Sequence, residues 1–221
     1  MKNLDKIKNQ IIEVGRRLYQ KNYVAANNGN LSCRIDKKRI LITPSGVNKG
    51  FMQADDLLIT DREGRVLQGT LQPSSEIKLH LLIYKNREDV QSVCHAHSAY
   101  ATAFACSQKS INCPILSDEI ISLGKIAEVE YAPPGSQQLA DNLLPWIKEH
   151  DAFLLENHGA VTTGETMTSA YYKMETLEHF ARINYLVQQL GSAKTLNKEQ
   201  ISELLALRQQ FNVSGNLNKF E

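Results

Sequence analysis

The sequence predicts one α/β or α+β domain over residues 1–221, with helices covering a mostly antiparallel sheet. Hairpin-like alternation of apolar and polar residues fills the early chain, and strand–helix alternation fills the rest. No repeat, low-complexity tract, linker or shift of composition divides the two. With 42% hydrophobic and 22% charged residues over 221 positions, the chain can bury a core without staples.

Residues 3–21 read as an amphipathic helix, because Leu4, Ile7, Ile11, Ile12, Val14, Leu18 and Tyr19 recur near the helical period. Turn formers in Ala26-Asn27-Asn28-Gly29-Asn30 end it. Leu31–Ile35 alternates as a strand, Asp36-Lys37-Lys38 makes a hairpin turn, and Arg39–Thr43 returns as the partner, ending at Pro44-Ser45-Gly46. Asp56 to Gln68 reads as a second hairpin around Asp61-Arg62-Glu63-Gly64. Pro73-Ser74-Ser75-Glu76 opens a helix to about Asn86, its serines and acid suiting the positive helix end. Gln91–His97 is a strand, and Ser98 caps an alanine-rich helix over 99–107. Residues 108–135 hold only short strand-like runs between Pro114, Gly124, Pro133, Pro134 and Gly135. Ser136–Glu149 reads as helical despite Pro145, Ala152–Leu155 as a buried strand, 166–190 as a long helix ending at Gly191, and 197–211 as a last helix before a loose polar tail.

A net charge of +1 argues against a nucleic-acid surface, and no acidic tail is present. The N-terminal MKNLDKIKNQ is charged from its second residue and lacks the apolar core of a signal peptide. No apolar run approaches the ~18 residues of a membrane span. Cys33, Cys94, Cys106 and Cys113 form no C-x-x-C pair, so they read as the reduced thiols of a cytoplasmic protein.

The stretch that carries chemistry is His95-Ala96-His97. Side chains alternate across a strand, so both imidazoles share one face and Cys94 and Ala96 the other. Two imidazoles on a strand hold a divalent metal if a third ligand arrives, and Glu76 and His158 are the candidates. His158, in Asn157-His158-Gly159, follows a buried strand at an end where α/β folds place ligands. His80, His150 and His179 lie in helical stretches and read as surface or satisfied core residues. Glu76 also reads as a plain helix-terminus acid. Three segments resemble anion cradles: Asn28-Gly29-Asn30, Thr43-Pro44-Ser45-Gly46, and Ser74-Ser75 at a helix start. Each is equally well explained as a turn or cap. Beside a metal site, they point to a small phosphorylated substrate held at one end and polarised at the other.

At Gly29-Asn30-Leu31-Ser32, Thr43-Pro44-Ser45-Gly46, Pro73-Ser74-Ser75-Glu76, His95-Ala96-His97 and Asn157-His158-Gly159 the chain resembles the class II aldolase/adducin family. That family is typified by L-fuculose-1-phosphate aldolase and L-ribulose-5-phosphate 4-epimerase. The motifs occur in family order over 27–159, and the flanking helices fit as well. The resemblance implies a three-layer α/β/α domain and a homotetramer with active sites between subunits. It implies a divalent metal, zinc with Mn²⁺ or Co²⁺ as alternatives, held by His95, His97 and His158, with Glu76 as ligand in the resting site and as the acid–base. It places a substrate phosphate against Gly29, Asn30, Ser45, Gly46, Ser74 and Ser75. No nucleic acid or membrane is implied.

Four readings of the activity compete. Glutamate at position 76 favours an aldolase, since epimerase relatives carry aspartate there. The epimerase shares the bond-breaking step. A methylthioribulose-1-phosphate dehydratase uses a glutamate shortly after H-x-H, which makes Glu119, in Ser117-Asp118-Glu119, a second acid–base candidate; its bland reading is a solvated loop. An adducin-like binding module is opposed by the intact ligands and Glu76. The fuculose-phosphate enzyme has two tyrosines that protonate the aldehyde end. One aligns with the 115–119 loop, which has no tyrosine, and the other with Phe211. A shorter or less polar aldehyde is therefore expected, as from 5-deoxyribulose 1-phosphate or methylthioribulose 1-phosphate.

Overall fold

The computed structural model describes residues 4–210. Helix α1 (Leu4–Gln20) buries Ile7, Ile11, Val14 and Leu18 along one stripe. Strands β1 (Asn30–Arg34) and β2 (Ile40–Ile42) form the first hairpin, whose turn is held by the Asp36 carboxylate accepting from the Lys38 and Arg39 N–H groups at 2.8 and 2.9 Å. Strands β3 (Leu58–Thr60) and β4 (Val66–Gln68) form the second, and Asp61 Oδ1 accepts from Glu63 and Arg65 in the same way. Helix α2 (Ile77–Asn86), strand β5 (Ser92–Ala96) and helix α3 (Ala99–Ala105) follow. Then come α4 (Ser117–Ser122), β6 (Ala127–Val129), α5 (Gln137–Leu143), β7 (Ala152–Leu155), β8 (Gly159–Gly164), α6 (Met167–Leu190) and α7 (Lys198–Gln210).

The strands form one eight-stranded sheet in the order β4-β3-β2-β1-β5-β8-β7-β6. Every pairing is antiparallel except β6 with β7. Two hydrophobic clusters lie on its two faces. One joins Ile11, Leu18, Leu31, Cys94, Ala96, Phe104, Leu154 and Leu177, so α1, α3 and α6 cover that side. The other joins Ile40, Leu79, Ile83, Val93, Phe153 and Val161, so α2 and α5 cover the opposite side. This is the three-layer α/β/α arrangement. Cys94 is fully buried in the first cluster, which matches the expected strand phase. His95 shares the face of Val93, under α2.

Several expected boundaries move for local reasons. Helix α2 begins at Ile77 because residues 73–76 first run beside 43–45: Pro44 and Pro73 form a bridge and the Ser74 N–H donates to Thr43 O at 3.2 Å. Ser98 stands at the start of α3, but its hydroxyl makes no capping bond. The Glu178 carboxylate on α6 accepts from the Tyr100 and Ala101 N–H groups at 2.9 and 2.8 Å instead. Helix α5 stops at Leu143, and 144–149 continues as tight turns, because Pro145 has no N–H to extend the ladder. Ser117-Asp118-Glu119 forms the first turn of α4 and not a solvated loop. β8 was not anticipated; its β-branched Val161-Thr162-Thr163 run pairs with both β5 and β7. Phe211 and the tail lie outside the described residues.

Candidate metal centre and buried carboxylate

The central strands deliver the histidines. β5 carries His95, which is 1% exposed, and the chain leaves the strand at Ala96, so His97 sits just past its end. β7 and β8 are joined by Glu156-Asn157-His158, where Asn157 takes the left-handed conformation at φ 54°. The two strand ends lie side by side because β5 and β7 both pair with β8. The three imidazoles face one another at ring-centroid separations of 4.8, 4.9 and 5.0 Å. One ligand nitrogen from each lies within 4.8 Å of the others. Gly159 is needed for space: a Cβ there would stand 2.7 Å from His97 Cδ2 and 2.8 Å from the Ala96 carbonyl oxygen.

Glu76 enters from the start of α2. Its Oε2 lies 3.0 Å from His95 Nε2, and its Oε1 lies 3.3 Å from His158 Nε2. Oε1 is buried with no hydrogen-bond donor aimed at it. Burial alone would raise this carboxyl, but His95, then His158 and the Asn30 amide, hold it well below the usual carboxylate range. Burial lowers His97 to about 3 and His158 to about 4, with His95 adding repulsion in each. His95 is desolvated too, yet Glu76 carries it above its ordinary value. The His95 Nδ1–H donates to the Ala160 carbonyl at 2.9 Å, which turns the Nε2 lone pair into the cluster. Three imidazole nitrogens and one carboxylate oxygen, converging with an undonated buried oxygen among them, fit the donor set of a tetrahedral divalent cation.

The other singled-out residues fall into two groups. The 43–46 and 72–76 segments meet through Ser45 N–H donating to Gln72 O at 2.9 Å, and Ser45, Gly46 and Ser75 are exposed there. Lys49, 1% exposed, ties in the third segment by donating to Asn27 O at 3.1 Å and Val47 O at 2.6 Å. Gly29 is buried at φ 71° against the His95 carbonyl. Ser74 is also buried, its Oγ accepting from the Glu76 N–H at 3.3 Å. The Asn30 amide is engaged at both ends, with Nδ2–H donating to Glu76 Oε2 at 2.8 Å. Glu119 stands apart. It is 1% exposed in α4, and neither carboxylate oxygen has a hydrogen-bond partner, so none joins it to Glu76 or the histidines.

These environments set two expected results. Burial lifts Glu119 to about 8. The folded chain therefore keeps a proton that the unfolded chain loses near its ordinary value, and stability drops as pH climbs from about 4.5 to 8. Glu119→Gln removes that penalty; its stability should match wild type at pH 4 and exceed it at pH 9 by up to about a few kcal/mol, read as a higher Tm. An equal or lower Tm at pH 9 would contradict the burial argument. His80, His97 and His158 have depressed values, so their contribution is present above the ordinary histidine value near 6.5 and is lost as pH falls towards 3–4. Far-UV circular dichroism of the metal-free protein should show acid unfolding within that window, shifted to lower pH by His97→Gln.

Sequence reasoning set His80 aside, and the structure makes it fully buried with a partner on each ring nitrogen. The usable signal was spacing: His80 follows Glu76 by four residues, one helical turn on the same face.

Residues 9–185 match the family model described as the class II aldolase and adducin N-terminal domain. An L-fuculose phosphate aldolase of Methanococcus maripaludis is 40% identical over 181 residues, covering 81% of this chain and 96% of the relative. A 3-oxo-tetronate 4-phosphate decarboxylase of Haemophilus influenzae is 34% identical over 186 residues, covering 82% of this chain and 88% of the relative. Among solved structures, an L-fuculose 1-phosphate aldolase superposes with a TM-score of 0.83 at 30% identity, covering 94% of this chain and 96% of its own. YgbL of Escherichia coli, described as a putative aldolase/epimerase/decarboxylase, superposes at 0.86 with 28% identity, covering 91% and 98%. With the family model spanning most of its length and its sheet shared with solved aldolases, the chain belongs to the class II aldolase/adducin family.

Proposed function

We propose that the chain is a divalent-metal-dependent lyase that breaks the C3–C4 bond of a ketose 1-phosphate, giving dihydroxyacetone phosphate and an aldehyde. The observation that carries this is the convergence of three imidazoles on an ionised, buried Glu76 carboxylate. His95, His97 and His158 hold the cation, zinc in preference to Mn²⁺ or Co²⁺, and Glu76 completes the resting site. When bound, that cation supplies Lewis-acid stabilisation of the oxygen charge that develops as the bond breaks. Glu76 gives and takes the proton at the enediolate carbon. Gly29, Asn30, Ser45, Gly46, Ser74 and Ser75 receive the phosphate, with the exposed Ser45, Gly46 and Ser75 at its mouth. No lysine Schiff base is required.

The named activities of the relatives support a shared intermediate. A ketose 1-phosphate that loses its aldehyde and a 3-oxo-tetronate 4-phosphate that loses its carboxyl as CO₂ both leave the enediolate of dihydroxyacetone phosphate. Decarboxylation is therefore the second reading, favoured by the 34% identical relative and by the absence of tyrosine from 115–119. The protein is proposed to act in the cytoplasm as a homotetramer with the sites at subunit boundaries; Leu67 and Tyr131, 57% and 53% exposed, are apolar surface that partners would cover. Among the described residues no helix is long and apolar enough to cross a membrane.

Product analysis tests the reading. The zinc-loaded protein is given 5-deoxyribulose 1-phosphate, methylthioribulose 1-phosphate, L-fuculose 1-phosphate and 3-oxo-tetronate 4-phosphate in turn. Dihydroxyacetone phosphate with an aldehyde is expected, with higher kcat/KM for the first two substrates. Carbon dioxide from the oxo acid alone would make it a decarboxylase. An isomeric pentulose phosphate would make it an epimerase, loss of water a dehydratase, and a clear preference for fuculose phosphate would refute the short-aldehyde expectation.

A further inference from the structure

Glu76, the residue that caps the start of α2, and His80 and Tyr84 within it recur every four residues, a spacing of about 6 Å along a helix axis. Asn30 and Ser32 recur every two residues on β1, about 6.7 Å along a strand. The two repeats mesh into a ladder. Asn30 Nδ2–H donates to Glu76 Oε2 at 2.8 Å, and His80 Nε2 meets Asn30 Oδ1 at 2.5 Å. His80 Nδ1 meets Ser32 Oγ at 2.6 Å, and Ser32 Oγ meets the Tyr84 hydroxyl at 2.8 Å.

Chemistry orders the protons along this chain. Asn30 must aim its nitrogen at the carboxylate, so its oxygen must accept, and His80 must donate from Nε2. Neutral His80 then accepts at Nδ1, Ser32 donates to it, and the Tyr84 hydroxyl donates to Ser32. Every hydrogen bond runs in one direction, towards Glu76. Ser32 and His80 are 0% exposed and Tyr84 is 2% exposed, so water has no access to replace a missing link.

We propose that His80 is a positioning residue for Glu76: by donating to Asn30 it fixes the amide with its N–H towards the carboxylate, and Ser32 and Tyr84 fix the His80 tautomer. This rests on the reading of Glu76 as the acid–base. Without the His80 donor, the Asn30 amide can turn its oxygen to Glu76, which repels the carboxylate and lets it swing from His95. The effect is on the proton-transfer step, since His80 has no hydrogen bond to the three imidazoles and meets the phosphate segments only at the Asn30 side chain, both ends of which are engaged within the ladder.

The test uses the holoprotein and dihydroxyacetone phosphate alone in D₂O, following hydrogen exchange at its hydroxymethyl carbon by NMR. His80→Leu should lower kcat for exchange by about 10–100-fold with KM unchanged, and His80→Gln, which keeps a donor towards Asn30, should restore most of it. Ser32→Ala, a smaller lesion that serves as the test should His80→Leu fail to fold, should lower kcat by about 3-fold or more. Crystal structures of the holoprotein variants supply a second readout: the Asn30 amide or Glu76 carboxylate should move in His80→Leu and stay in His80→Gln. Wild-type kcat and an unmoved Glu76 in His80→Leu would overturn the proposal, as would equal impairment of His80→Leu and His80→Gln. If Glu76→Gln keeps wild-type exchange, the acid–base reading falls on its own, and the displacement of Glu76 in the His80→Leu crystals still decides the relay.

Discussion

Glu76→Gln is expected to abolish turnover while leaving the fold intact. General acid–base groups contribute about 10²–10⁴-fold to rate, and kcat should fall by that factor. The substitution keeps shape and volume and removes the charge. The exchange of dihydroxyacetone phosphate hydrogen in D₂O should fall in parallel, because it needs proton transfer at carbon but no aldehyde. Stability of the metal-free protein should fall at neutral pH, because the attraction of the Glu76 carboxylate to His95 and His158 outweighs its desolvation, and the neutral amide gives that attraction up. A variant with wild-type exchange would remove Glu76 from the chemistry. If Glu119→Gln were instead the inactive one, the dehydratase reading would gain, despite the absence of any hydrogen bond from Glu119 to the histidine cluster.

The sequence made the centre of the molecule legible because two short periodicities are strict. Strand alternation places His95 and His97 on one face and Cys94 on the other, and the structure keeps both. Hairpins announced by Asp36 and Asp61 were readable because a carboxylate that holds N–H groups two to four residues on is a local device. What was hidden depends on partners far away in the chain. Helix α3 is capped by Glu178, nearly eighty residues later, so Ser98 looked like the cap and is not. Glu119 looked like part of a polar loop, but α4 packs against α6 and α7 and buries it.

The candidate site divides the same way. The ligand set was visible as H-x-H with His158 and Glu76. The role of Asn30 was less so: Asn-Gly-Asn reads as a turn that cradles anions, and its turn geometry at Gly29 is present. The Asn30 side chain, however, points under α2 to Glu76 and His80. No pattern within residues 27–31 carries that information, because it comes from the register of β1 against a helix some fifty residues on. His80 reads from sequence as a surface or satisfied core residue and is the latter, but its partners were not legible, although a helix whose polar residues fall at i, i+4 and i+8 on its buried face needs partners there.

His95→Ala is expected to remove metal binding, and with it activity. Disturbing residues that merely support a metal ligand costs about 10–100-fold in affinity, so deleting a ligand should cost more than 100-fold. Stability reads this without reference to catalysis. A cation at about 100 times its Kd stabilises the folded state by about 2.7 kcal/mol, which for a chain of this size raises Tm by about 5–10 °C. Adding zinc to the metal-free wild type should give that rise, and adding it to His95→Ala should give little. The metal-free variant should itself be weakened, since the Ala160 carbonyl loses the Nδ1–H it accepts at 2.9 Å. Glu76 loses its nearest imidazole as well, so its carboxyl should move back up in pKa, with burial then opposed only by His158 and the Asn30 amide. The comparison that decides is the zinc-induced change in Tm within each protein, because it cancels these losses. His179→Ala, on the exposed face of α6, serves as the control and should respond to zinc as wild type does. A zinc shift in His95→Ala as large as in wild type would show that the cation binds elsewhere and would remove the basis for the proposed lyase chemistry.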